Sequence, residues 1–250
     1  MPFEYLYGHQ PVHVALRRGG RRIRQLLFYD NGKTSQKSQE ILAAARHRSV
    51  PIQYSTKSQL DALCQQRPHQ NVALQVDPLC LPTVDGPEGL GKVAMLLVDI
   101  GDPQNLGAII RSASYFGLPR LYLTDGCSHA SPTVSKASAG SLEFYHHQMR
   151  ICRRAGAFID AAKQDGWLVL GTSPTLEDGL GEVLHDDRPK LVVMGSEGEG
   201  LKQSILDRCD RMVTIRGSLE AARMGLDSLN VSVAAALLLQ RFLDCSEGKV

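Results

Sequence analysis

The chain has 250 residues, 43% of them apolar and 22% charged, which is ordinary for a globular protein and long enough for one large domain or two small ones. No apolar run approaches the roughly 18 residues a membrane span requires. The opening residues show neither a secretory signal nor a mitochondrial presequence, although residues 11–24 are Arg-rich and free of acid. The net charge of +2 conceals an asymmetry: residues 1–60 hold ten Lys/Arg against three Asp/Glu, and the other 190 hold 18 against 23.

In chain order, residues 7–16 predict a helix closed by a cap at Gly19 and Gly20. Residues 23–29 predict a strand ending in the Asp30-Asn31-Gly32 turn. A helix is expected over 35–48, a strand over 51–54, a helix over 57–66 and a strand over 72–76. Between the first helix and strand, Arg17, Arg18, Arg21, Arg22 and Arg24 crowd into eight residues. Such a cluster suits contact with a polyanion through phosphates, the alternative being a solvated turn between helix and strand. Residues 78–91, dense in Pro and Gly, predict a linker. Beyond it, apolar strands over 93–98, 121–124, 168–171, 191–194 and 212–215 alternate with helical stretches. That alternation predicts an α/β domain with a parallel sheet covered on both faces. The six cysteines are scattered, without a C-x-x-C pair, and predict reduced packing thiols rather than a zinc site or a disulfide framework.

Three strand ends carry unusual sequences, and in parallel α/β sheets ligands bind beyond the carboxyl ends of strands. After the 93–98 strand, Asp102 before Pro103 is a helix-start signal. Asp102 and Asn105 therefore read as cap and turn residues or as site residues, and Arg111 falls outside the apolar face of the helix that follows. After the 191–194 strand, Gly195-Ser-Glu-Gly-Glu-Gly200 is glycine-rich with a G-x-x-G-x-G spacing, neither a dinucleotide fingerprint nor a P-loop. Glu197 and Glu199 would repel a phosphate held on backbone amides, so a ligand without phosphate fits better, with the glycines letting the main chain approach it. Last, Ser228 or Asn230 can start an apolar helix running on through 239.

Together the stretches "DIGDPQNLGAIIRSASYFG", "LVVMGSEGEGL" and "SLNVSVAAALLL" closely resemble the SpoU/TrmH branch of the SPOUT RNA methyltransferases, as do "VSKASAGSLE" and the opening "EYLYGHQPVHVALRRGGRRIRQLLF". The resemblance covers almost the whole chain. It implies a ribosomal-protein-like RNA-binding domain over residues 1–77 and, after the linker, a SPOUT domain over 92–250 with a carboxyl-terminal trefoil knot. It also implies a homodimer, structured RNA as substrate, S-adenosylmethionine as methyl donor and no metal. By motif position, Gly195, Ile215, Leu229 and Thr172 would contact the cofactor, and Asn105, Arg111, Glu197, Ser228 and Asn230 match the family's catalytic polar positions. The chain departs from the family after Ile215, where residues 216–227 form a longer loop lacking the usual "IPM". That loop most resembles the mitochondrial members that methylate a ribose 2′-hydroxyl of a guanosine in large-subunit rRNA, which implies the mitochondrial matrix. The bacterial 23S-type counterpart, a transfer-RNA methyltransferase and a silent ribosome assembly factor are the alternatives.

Overall fold

The computed structural model describes residues 3–18, 20–32, 35–88, 91–173, 180–218, 220, 223–226 and 228–246. Two compact units emerge. One comprises residues 1–80 with 129–147, and the other 81–128 with 148–250.

The first unit begins with β1 (Glu4–Tyr7), α1 (His9–Arg18), β2 (Ile23–Phe28), α2 (Gln36–His47), β3 (Ile52–Tyr54), α3 (Lys57–Leu63) and β4 (Val72–Val76). Its sheet runs β1-β4-β2-β3, with β2 and β3 parallel and the other pairs antiparallel. Strand period two sorts the core onto both faces. Leu26, Phe28 and Leu74 meet Val12, Leu16, Ile41 and Ala45 of the first two helices, whereas Leu27 and Ala73 meet Leu60 and Cys64 on the other side. Local chemistry starts the helices: the Ser35 hydroxyl accepts from Ser38 N at 3.2 Å, and Thr56 with Gln59 forms a reciprocal capping box. The expectation of a helix from residue 7 is corrected, because Tyr7 ends a strand. Gly8, at φ +86°, makes the turn that lets α1 begin at His9. The cap expected at Gly19 lies outside the described residues.

The second unit contains β5 (Thr83–Val84), β6 (Val93–Leu97), α4 (Pro103–Phe116) and β7 (Leu121–Thr124). The chain then supplies α5 (Pro132–Ala137) and α6 (Leu142–Tyr145) to the first unit, where α5 packs on β1 and α6 on α1. It returns with β8 (Met149–Cys152), α7 (Ala155–Gln164), β9 (Leu168–Thr172), α8 (Leu180–Leu184), β10 (Lys190–Met194), α9 (Gln203–Leu206), β11 (Arg211–Val213) and α10 (Val231–Ser246). All seven strands are parallel, in the order β11-β9-β10-β6-β7-β8-β5. Every residue of β6 and β10 is buried, as the apolar runs over 93–97 and 191–194 require at the centre of a two-sided sheet. Strands β7 and β8 follow β6 outward on one side, while β9 and β11 lie beyond β10 on the other. The winding direction therefore reverses between β6 and β10, the place where such sheets open a ligand crevice.

Within 78–91, expected to be a linker, Thr83 and Val84 pair with β8 and the Glu88 N–H donates to the Tyr122 hydroxyl at 2.7 Å. Of the described cysteines, Cys64, Cys127 and Cys152 are buried, Cys209 is half-buried, Cys80 is exposed, and none is disulfide-bonded. Burial pushes the Cys64, Cys152 and Cys209 thiols up to about 11. Among the described residues no helix is long and apolar enough to cross a membrane, and no His/Cys/Asp/Glu group could hold a metal.

Candidate active site

The chain leaving β6 turns sharply. Asp99 takes a left-handed φ of +57° and is braced by Thr124, whose hydroxyl donates to Asp99 Oδ1 at 3.1 Å and accepts from its N–H at 3.0 Å. Three residues on, the Asp102 carboxylate accepts from the N–H groups of Gln104 (3.0 Å) and Asn105 (3.3 Å), Pro103 supplies the fixed φ of a first helical position, and α4 begins. Asp102 is thus a helix cap. Asn105 sits half-buried on the first turn of α4.

From β10 the backbone enters a tight loop in which Gly200 N donates to Ser196 O at 3.0 Å and Gly200 adopts φ +64°. A Cβ on Gly195 would lie 2.3 Å from the carbonyl carbon and oxygen of Gly200 and 2.6 Å from Leu201 N, so no side chain fits there. This loop forms one wall of a cavity of about 360 Å³. Its remaining walls are the ends of β9 and β11 and the entry to α10. Thr172, Gly195, Ile215 and Leu229, the four expected cofactor contacts, all line it, together with Glu197 and Ser228. Ser173 and Leu238 also line it and went unrecognised as site residues, Ser173 because it lies outside the motifs and Leu238 because it reads as one more apolar residue of the α10 stretch.

Beside the cavity the three motifs are hydrogen-bonded to one another. The Asn230 side-chain amide donates to Asn105 Oδ1 at 3.0 Å and to Glu197 Oε1, and the same Glu197 oxygen accepts from the Val231 N–H at 2.9 Å. A carboxylate from the glycine-rich loop thereby caps the N-terminus of α10, a helix 34 residues away in sequence. Lys202, just past the same loop, lies 3.8 Å from Asp99 and ties that loop to the first turn. Asp99 and Lys202 also went unrecognised as site residues. The one legible signal was an acid ending a buried strand.

Arg111 stands apart. It is exposed on α4, does not line the cavity, and its guanidinium has no hydrogen-bond or ion-pair partner among the described residues. Glu197 therefore orders α10 and Asn230 rather than pairing with Arg111. We expect Glu197→Ala to lower stability by about 1 kcal/mol, the typical worth of a lost cap, with Glu197→Gln recovering most of it because one acceptor oxygen remains. Urea unfolding of both variants checks this, and an unchanged midpoint in the alanine variant would remove the capping role.

The arginine cluster of the first unit separates into distinct roles. Arg17, Arg18 and Arg22 are exposed, and Arg24 is paired with Asp77 at 2.7 Å. Arg21 corrects the expectation of phosphate contact: its side chain is 1% exposed. Its Nε donates to Glu143 at 2.9 Å and one terminal nitrogen to Glu4 at 2.7 Å, and Glu143 also accepts from the Ser135 hydroxyl at 2.8 Å. A guanidinium held by two carboxylates inside the protein is unavailable to RNA.

Known proteins match this chain over almost its whole length. The SpoU rRNA Methylase family matches residues 92–240, and the RNA 2′-O ribose methyltransferase substrate-binding module matches residues 5–81. The mitochondrial rRNA methyltransferase 1 of Homo sapiens is 33% identical, covering 98% of this chain and 73% of that protein. Its Schizosaccharomyces pombe counterpart is 32% identical, covering 94% and 88%. The crystal structure of the SpoU methyltransferase AviRb from Streptomyces viridochromogenes, in complex with the cofactor AdoMet, shares the fold with a TM-score of 0.72 at 21% identity, over 98% of this chain and 91% of that one. With the paired module matches and a relative one-third identical across nearly every residue, the chain belongs to the SpoU rRNA Methylase family of RNA methyltransferases.

Proposed function

We propose that this protein methylates the ribose 2′-hydroxyl of a guanosine in large-subunit rRNA, using S-adenosylmethionine and acting as a homodimer. The observation carrying this reading is the cavity at the carboxyl ends of β9, β10 and β11. Its wall is main chain at Gly195 and acid at Glu197 and Glu199, and among the described residues it contains no lysine or arginine. Such a lining disfavours a phosphate-bearing cofactor and suits a cationic sulfonium. When bound there, S-adenosylmethionine supplies an electrophilic methyl group. The chain's own residues then hold the cofactor by backbone contact at Gly195, Ile215 and Leu229, with Thr172 alongside, and keep the Asn105–Asn230–Glu197 network at its rim.

The attacking hydroxyl must lose a proton as it reacts. Arg111 stays protonated at any ordinary pH and is unsuited to accept it. Its exposure on α4 fits a charge role instead, gripping a phosphate of the substrate and stabilising the developing alkoxide. The proton passes to a phosphate oxygen or to water. Ser228 and Asn230 stand at the same rim, placed to contact the ribose.

The dimer is supported by apolar side chains left exposed on two helices that pack together: Tyr115 (84% exposed) on α4, and Val233 and Leu237 on α10. The trefoil knot and the mitochondrial matrix are proposed from family membership and from the mitochondrial relatives, and a bacterial cytoplasm would follow from a bacterial source.

Labelled methyl transfer to large-subunit rRNA, small-subunit rRNA and transfer RNA tests the reading. We expect labelling of large-subunit rRNA at one alkali-resistant ribose, lost by 100-fold or more in Arg111→Ala, the order found when one preorganised charge-stabilising donor is removed. Labelling of transfer RNA would replace the substrate, and no labelling of any RNA would favour a silent assembly factor.

A further inference from the structure

Helices α1 and α2 lie side by side in the same direction. Near their N-termini the Ser38 hydroxyl meets His9 Nε2 at 3.2 Å. At the other end the Arg48 guanidinium donates to the carbonyls of Ala15 (3.2 Å) and Leu16 (3.0 Å). Two carboxyl-terminal ends are therefore bound together. One carries Arg17 and Arg18 immediately after Leu16, and the other carries Arg46 and His47 immediately before Arg48. Arg22 follows in the turn into β2. All six side chains belong to exposed residues.

Basic residues at helix C-termini have an ordinary explanation, since each helix end carries about half a negative charge. Here that explanation falls short. Two ends amount to about one charge, and Arg48 already sits on the free carbonyls. Arg17, Arg18, Arg22 and Arg46 remain, with no ion-pair partner among the described residues. The acids that could answer them are engaged elsewhere: Asp77 with Arg24, Glu4 with Arg21, and Glu40 with Gln36.

Resting on the RNA-methyltransferase reading, we propose that this paired helix end, with Arg17 and Arg18 on one helix, Arg46 on the other and Arg22 beside them, grips the phosphate backbone of the rRNA substrate, while Arg48 holds the two ends together. Forked guanidinium groups suit phosphate oxygens, and the absence of an aromatic side chain from the set points to backbone grip rather than base reading. The surface enlists Arg46 of α2, outside the arginine run, and omits two members of the run, Arg21, which is buried on Glu143 and Glu4, and Arg24, which is paired with Asp77.

The test measures binding of a large-subunit rRNA transcript to the full chain between 50 and 200 mM salt (a range of about fourfold). Arg17→Glu/Arg46→Glu is compared with the control Lys57→Glu/Arg153→Glu. Reversal at the helix ends is expected to weaken binding roughly tenfold or more and to flatten the salt slope by about 1.5–2, while the control stays within about twofold of wild type. Should the reversal variant fold poorly by thermal unfolding, Arg17→Gln/Arg46→Gln serves in its place and should flatten the slope by the same amount. Wild-type affinity and slope in the helix-end variant would overturn the proposal alone. A wild-type chain that binds no RNA would overturn it together with the reading on which it rests.

Discussion

Gly195→Ala is expected to weaken S-adenosylmethionine binding by at least 100-fold, with the fold retained at a cost of about 1–3 kcal/mol. The added methyl would lie 2.3 Å from the Gly200 carbonyl and 2.6 Å from Leu201 N. Both obstacles are backbone, so no rotamer change relieves the clash. The loop from 196 to 200 must move, and that loop is the cavity wall on which the cofactor is proposed to lie. A 100-fold loss corresponds to about 2.8 kcal/mol, within reach of a wall displaced by an ångström. Gly181→Ala is the control, since a Cβ there meets nothing within 4 Å and the residue lies outside the cavity lining. Calorimetric titration of both variants decides the matter. Equal cofactor affinity in Gly195→Ala and wild type would mean that the cavity beside Gly195 is not the cofactor site.

The same residues show how much of the site could be read before the fold was known. Strand β6 and residues 191–194 of β10 announce themselves as unbroken apolar runs because both of their faces are covered. Once a parallel sheet is inferred, the crevice must lie at the strand ends, and the three motifs mark it. Strands β1 and β8 were not legible. The four residues Glu4–Tyr7 flow into a helical pattern, and only the left-handed Gly8 separates the two. In β8 the outer residues are buried and the middle two only partly, so no alternation shows. Strand β5 is two residues long within a stretch rich in Pro and Gly. Asn230, legible as a helix start, does cap α10 by accepting from the Ser232 N–H at 3.0 Å, whereas the second cap, Glu197 on the Val231 N–H, was out of reach because it arrives from a different loop. Arg111 illustrates the converse: its projection away from the apolar face of α4 was readable from helical period alone.

The assignment of residues 129–147 to the first unit was the least legible feature, and its main tie yields the second large expected effect. Arg21→Met should destabilise the protein by about 3–5 kcal/mol, the range for a buried ion pair broken on one side. Glu143 has no exposed surface, and without the guanidinium 122 residues away its charge would keep, among the described residues, only the Ser135 hydroxyl as a side-chain partner. Glu4, 27% exposed, can turn to water, so the cost falls on Glu143. Arg21→Met/Glu143→Leu removes both buried charges and should regain most of the loss, since well-packed apolar replacements of such pairs are often neutral. A run of five arginines offers no means of telling the structural one from the phosphate-binding ones, because the distinguishing carboxylate arrives from the far side of the sequence. The distinction is measurable. If Arg21 acts inside the protein, Arg21→Met lowers the unfolding midpoint and the double variant restores it, with the salt slope of RNA binding unchanged. A flattened salt slope with an unaltered unfolding midpoint would return Arg21 to the RNA-binding set and leave Glu143 without its structural role.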